Sequence, residues 1–143
     1  MNAITHERVG EGVAVSMFAA SLGFSIGWVG PAGVVLFPVI LPAMVLVAGP
    51  GAAVAGFVLL LVMQNRARIA ASHAELRWCG VLVGLPLGLL SVLPALLLWN
   101  QWFGERSQLS LQDLPLAYVM GGLSGGMGLG YGVTHGLEPE GTP

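Results

Sequence analysis

The sequence predicts an all-α integral membrane protein, a single bundle of five (alternatively four) transmembrane helices with short loops. Three observations carry that expectation. Hydrophobic residues make up 55% of the 143-residue chain, charged residues only 8%, and the mean hydropathy is +0.83, whereas about a quarter of the residues of a soluble domain are charged. No ionisable side chain occurs from Gly12 to Met63. The positive charges are gathered, since Arg66, Arg68 and Arg77 are three of the five basic residues and there is no lysine. Basic residues in short loops stay on the cytoplasmic side during insertion, so the loop at 65–78 is expected to be cytoplasmic and to fix the direction of every other segment.

The chain before Gly12 carries Glu7, Arg8 and Glu11, and the apolar run that follows outlasts a signal-peptide core. It reads as a retained span. As one helix, Gly12 to Met63 would be roughly 78 Å long, more than twice a hydrocarbon core of about 30 Å. Breaks are therefore expected. Gly30-Pro31-Ala32-Gly33 and Gly49-Pro50-Gly51 supply glycine to end one helix and proline to begin the next. The resulting spans are 12–29, 31–48 and 50–68. Pro38 and Pro42 would kink the second of these. If 31–48 instead folds back as a re-entrant pair with 50–68, four crossings remain and both termini are cytoplasmic.

The next span, 79–102, is bracketed by Trp78 at one end and by Trp99 and Trp102 at the other. Tryptophan prefers the headgroup layers, and this separation fits one crossing. Residues 104–113 form the opposite loop, where Glu105 and Asp113 offset Arg106, and Asp113 is the expected N-cap of the last helix. The final span covers 114–135, with Tyr118 and Tyr131 as expected interfacial anchors near its two ends. The tail with Glu138 and Glu140 is expected to be disordered.

Small residues recur at spacings of three and four, which collects them on one helix face. Gly12, Ser16, Ala20, Gly23 and Gly27 form one row. Gly80, Gly84, Gly88, Ser91 and Ala95 form a second. The last span has Ala117, Gly121, Gly125, Gly128 and Gly132, and a further row at Gly122, Gly126 and Gly130. In lipid, helices associate by close van der Waals contact, so flat glycine faces are expected to pack backbone against backbone. Residues 121–136 are half glycine, and each glycine disfavours a helix by about 1 kcal/mol relative to alanine. That helix needs neighbours on more than one side, supplied by the first span, another copy or a different subunit.

Candidate chemistry is sparse. Ionisable groups inside spans mark ion coupling and proton relays, and the central parts of these spans carry none, which argues against ion-coupled transport. His73 and His135 are candidate ligands, for a headgroup phosphate or a metal. A lone His-x-Glu and a helix-terminal histidine are weak signals, and no metal site or cofactor is assigned. Cys79 reads as an apolar filler, not a lipidation site. Ser21, Ser25, Ser91 and Ser124 are expected to bond to their own helix backbones.

Three functions are weighed. The first is a non-catalytic structural or accessory subunit of a larger membrane complex, in a bacterial inner membrane as the arginine-only, Ala/Gly/Val/Leu-rich composition suggests. The second is an oligomeric channel or transporter for small neutral solutes, and the third a lipid- or quinone-active enzyme working through 66–77. Expected partners are the lipid bilayer with other membrane subunits or a homo-oligomer; nucleic acid is not among them.

Overall fold

The computed structural model describes residues 3–68, 72–103, 112–135 and 137, and among them there is no strand. Four α-helices follow one another: α1 (Ala3–Val29), α2 (Gly33–Ala67), α3 (His73–Phe103) and α4 (Pro115–Thr134). A single 3-10 turn, Gly30–Ala32, joins α1 to α2. Two stretches, Val9–Ala67 and His73–Trp102, are long and apolar enough to cross a membrane.

Consecutive helices run antiparallel. Gly12 meets Val133 while Gly27 meets Ala117, which sets α1 against α4 head to tail, and Gly80 and Gly88 face Gly130 and Gly122 in the same sense between α3 and α4. The helices thus form a ring in the order α1, α2, α3, α4. α1 and α3 occupy opposite corners with no Cα atoms within 8 Å of each other, and α4 packs most extensively, against both.

The sequence places a helix break at each Gly-Pro pair, and the structure has only the first. Gly30 takes φ +71, the left-handed conformation that glycine adopts without steric penalty at helix ends. Pro31 opens the short turn, and α2 folds back so closely that Gly33 lies against the Ser25 backbone. No such reversal occurs at Pro50, which lies inside α2 with Pro38 and Pro42. A residue before proline is normally pushed out of the helical region by its Cβ, and Gly49 has none. This eases the strain at Pro50 but does not alone decide the outcome, since Gly30 lacks a Cβ too and Pro38 and Pro42 follow Phe37 and Leu41 within the same helix. Segments 31–48 and 50–68 are one 35-residue helix, neither two separate spans nor a re-entrant pair.

Two further boundaries differ. The stretch read as a loop at 65–78 is mostly helical, since α2 continues to Ala67 and α3 begins at His73. Its start is capped by Ser72, whose Oγ accepts the Glu75 amide at 3.2 Å, in the Ser-x-x-Glu pattern of a capping box. The N-cap of α4 is Leu114, with no side-chain cap, in place of Asp113. Pro115 opens this helix at a position where its missing N–H is harmless. Glu105, Arg106, Glu138 and Glu140, and the Arg8 side chain, lie outside the described residues.

Candidate functional site

The two glycine rows of α4 divide their work between two neighbours. Gly121, Gly125, Gly128 and Gly132 face α1. A Cβ at Gly128 would lie 2.9 Å from the Val15 carbonyl oxygen, one at Gly132 2.7 Å from the Gly12 Cα, and one at Gly125 2.9 Å from the Ala20 Cβ. Gly121 is looser, 3.2 Å from the Phe24 Cβ. From the α1 side, Gly23 abuts Ser124 and the Met120 carbonyl, and Gly27 abuts the Ala117 backbone. Gly122, Gly126 and Gly130 face α3, where Gly84 and Gly88 meet the carbonyl oxygens of Gly126 and Gly122, and Gly80 meets Thr134 and the Gly130 carbonyl. Both faces are therefore occupied within one chain. Along α1 one hydroxyl reinforces the fit, since Ser16 Oγ donates to the Gly125 carbonyl at 2.9 Å.

The other serines turn inward on their own helices, as their spacing suggests. Ser21 donates to the Met17 carbonyl at 2.7 Å, Ser25 to Ser21 at 2.6 Å, Ser91 to Gly88 at 2.7 Å and Ser124 to Met120 at 2.6 Å.

The two halves of the bundle differ in density. Near the α2–α3 connection, Leu59, Leu60, Met63, Leu76, Leu129 and Val133 are almost wholly buried in one cluster, and the half-buried Cys79 packs against it. That half is filled. In the other half a cavity of about 320 Å³ lies between all four helices. Phe24 of α1, Met44 and Val47 of α2, Val92 and Leu96 of α3, and Tyr118 of α4 are among its wall residues. Trp28 and Val39, also in the wall, are 51% and 76% exposed, so the cavity meets the outer surface beside them.

The wall is nearly all apolar. Ser16 and Ser91 belong to it, but their hydroxyl protons are committed to backbone carbonyls. Tyr118 was expected at a headgroup interface; it is instead 9% exposed, its ring edge-on to Phe24 at 5.5 Å. Its hydroxyl is buried with no hydrogen-bond partner among the described residues. The sequence held a signal for this placement. Tyr118 lies four residues before Gly122 and seven before Gly125, spacings that set it on the concave side between the glycine rows.

Energetics restrict what this cavity holds. If the 320 Å³ stayed closed and empty at about 24 cal/mol per Å³, the penalty would be on the order of 8 kcal/mol, comparable to the whole stability of a domain. Water is a poor filler as well, because a buried water needs two to four polar partners. An apolar occupant satisfies both constraints.

Arg66, Arg68, Arg77 and His73 lie at the dense end, whereas Asp113 lies at the cavity end, just before α4. Arg66 and Arg68 are exposed at the end of α2, and His73 is exposed in the first turn of α3. Arg77 lies over the Tyr131 ring at 5.7 Å, and the Tyr131 and His135 rings are 5.9 Å apart. Arg77, Trp78 and Tyr131 share a shallow surface depression, so Tyr131 is at the surface. Among the described residues no three His, Cys, Asp or Glu side chains are grouped as metal ligands.

No protein-family model, curated protein or solved structure matches this chain. Its function is read from the geometry.

Proposed function

We propose that this protein is an integral membrane protein of the bacterial inner membrane whose four α-helices cross the bilayer, with 65–78 on the cytoplasmic side, and that it is a non-catalytic structural or accessory subunit of a larger membrane complex. The observation that carries this is the outer face of α2. Val34, Val35, Val39, Val54 and Val62 are all more than 40% exposed, and Val34 to Val62 spans about 42 Å at 1.5 Å per residue. α4, with 20 residues, is about 30 Å long and matches the hydrocarbon thickness. Held in the same bundle, the apolar face of α2 outruns the lipid by about 12 Å. A neighbouring subunit covers that surplus.

The internal use of both α4 glycine rows moves the expected partner contact from α4 to α2. Native electrophoresis after mild detergent extraction tests the reading: the 14.8 kDa chain migrates with other subunits in a large complex. A lone monomer or small homo-oligomer refutes it.

The cavity favours a second reading, an oligomeric channel or transporter for small neutral solutes. Within one chain the path would stop at the Leu59, Leu60, Met63 and Val133 cluster, so this reading needs several copies. Proteoliposomes that stay tight to water and small neutral solutes would remove it.

A further inference from the structure

We propose that the four-helix cavity is a binding site for a hydrocarbon-rich molecule that enters beside the α1–α2 turn and carries one hydrogen-bond-accepting oxygen, for which the Tyr118 hydroxyl is the donor. This rests on the membrane reading but not on the subunit reading. Size, wall and polarity converge. The cavity, about 320 Å³, is roughly twice the 150 Å³ void that holds a benzene in an engineered protein and falls at the small end of ligand pockets.

The void is not loose packing, because the helices that enclose it touch backbone to backbone at Gly23, Gly27 and Gly88, along the same half of the bundle. Its wall offers small side chains where bulk would close it: Ala20, Ala43, Ala48 and Ala95. Tyr118 is the buried polar side chain left unpartnered among the described residues, and an unmet buried hydroxyl is normally paired in a finished core. An ester, ether or quinone oxygen on an apolar body supplies the missing acceptor once the Tyr118 ring, part of the wall but with its hydroxyl still covered, shifts toward it. Exposed Trp28 and Val39 mark the entry, and Trp28, in the last turn of α1, sets it beside the α1–α2 turn.

Two sources share this chemistry, an acyl chain of the bulk phospholipid and a separate apolar metabolite, and brominated compounds that quench tryptophan on contact distinguish them. The protein carries Trp78→Phe and Trp102→Phe, so that Trp28 and Trp99 of the cavity wall report. In nanodiscs of unbrominated lipid, a dibrominated fatty-acid methyl ester quenches these tryptophans saturably, and excess unbrominated ester reverses it. In nanodiscs of brominated phosphatidylcholine, with Trp28, half exposed on the outer surface, also changed to phenylalanine, quenching of Trp99 that is lost when the cavity is filled identifies the bulk lipid as occupant. Filling the cavity with Ala48→Leu and Ala95→Leu abolishes the saturable quenching by added ester, and in brominated lipid the quenching of Trp99.

Tyr118→Phe weakens the ester about two- to tenfold, the worth of one neutral hydrogen bond, and leaves the dibrominated alkane of equal chain length unchanged. Melting temperatures show whether each variant folds; if the filled variant does not, the ester-against-alkane comparison in Tyr118→Phe decides alone. Quenching that never saturates, or equal losses for ester and alkane, overturns the proposal. Absence of the protein from the membrane fraction would instead sink the membrane reading, which separates the two failures.

Discussion

Replacing Gly88 by alanine tests whether backbone contact holds α4 in place. A Cβ at Gly88 would lie 2.6 Å from both Cα and N of Gly126 and closer still to the Gly122 carbonyl oxygen. These are main-chain atoms and cannot rotate away. Carbon atoms settle at about 3.5–4.0 Å, so α3 and α4 must separate by roughly 1 Å at their tightest point. Overpacking of this kind costs about 1–3 kcal/mol, against which alanine returns up to about 1 kcal/mol of helix propensity. With the full return the net loss is up to about 2 kcal/mol, or up to roughly 8 °C in melting temperature for a chain of this size.

Gly10 is the control, in α1 with nothing within 4 Å of its would-be Cβ; Gly10→Ala should raise the melting point by about 3 °C or leave it unchanged. Cys79 supplies the assay, because it is the sole cysteine and is half-buried against the Leu59 cluster. A thiol-reactive fluorogenic dye then follows unfolding in detergent. If Gly88→Ala and Gly10→Ala move the melting point in the same direction, glycine acts through propensity alone and the close-contact account is wrong.

Other substitutions probe separate parts of the fold. Ser16→Ala, which removes the hydrogen bond from α1 to the Gly125 carbonyl, should lower stability by about 1 kcal/mol; Ser21→Ala, which removes only a bond within α1, should change it by less than half as much in the same dye assay. Ser72→Ala removes the α3 cap and should destabilise by about 0.5–2 kcal/mol, with faster hydrogen exchange confined to the amides of 73–76. Changing Arg66, Arg68 and Arg77 together to serine removes the charges that orient insertion; a reporter fused after residue 143 should move, in part or whole, to the other face of the membrane, and an unchanged reporter would show that these arginines do not set topology.

Much of the packing was legible because it depends on side chains that are absent. A glycine row read at spacings of three and four fixes a helix face without knowing any rotamer, and α4 places its two rows against α1 and α3. The serine bonds were legible for a similar reason, since they close within one turn. What was not legible required a distant partner. Gly30 and Gly49 carry the same local signal before proline, but only Gly30 is followed by a residue, Gly33, that touches the preceding helix at Ser25. The cavity was illegible too, because it is a space left between four helices. Tyr118 was misplaced because its position near a helix end looked interfacial, while its register relative to Gly122 turns it inward.

The placement of α4 bears on biogenesis. Both grooves that receive it are built from helices that precede it in the chain, so they are made before the helix that closes them. Until α4 is made, α1 and α3, whose backbones do not approach one another, lack the partner against which their glycine edges pack. A chain truncated before Pro115 would therefore stay as loosely associated helices, open to proteolysis.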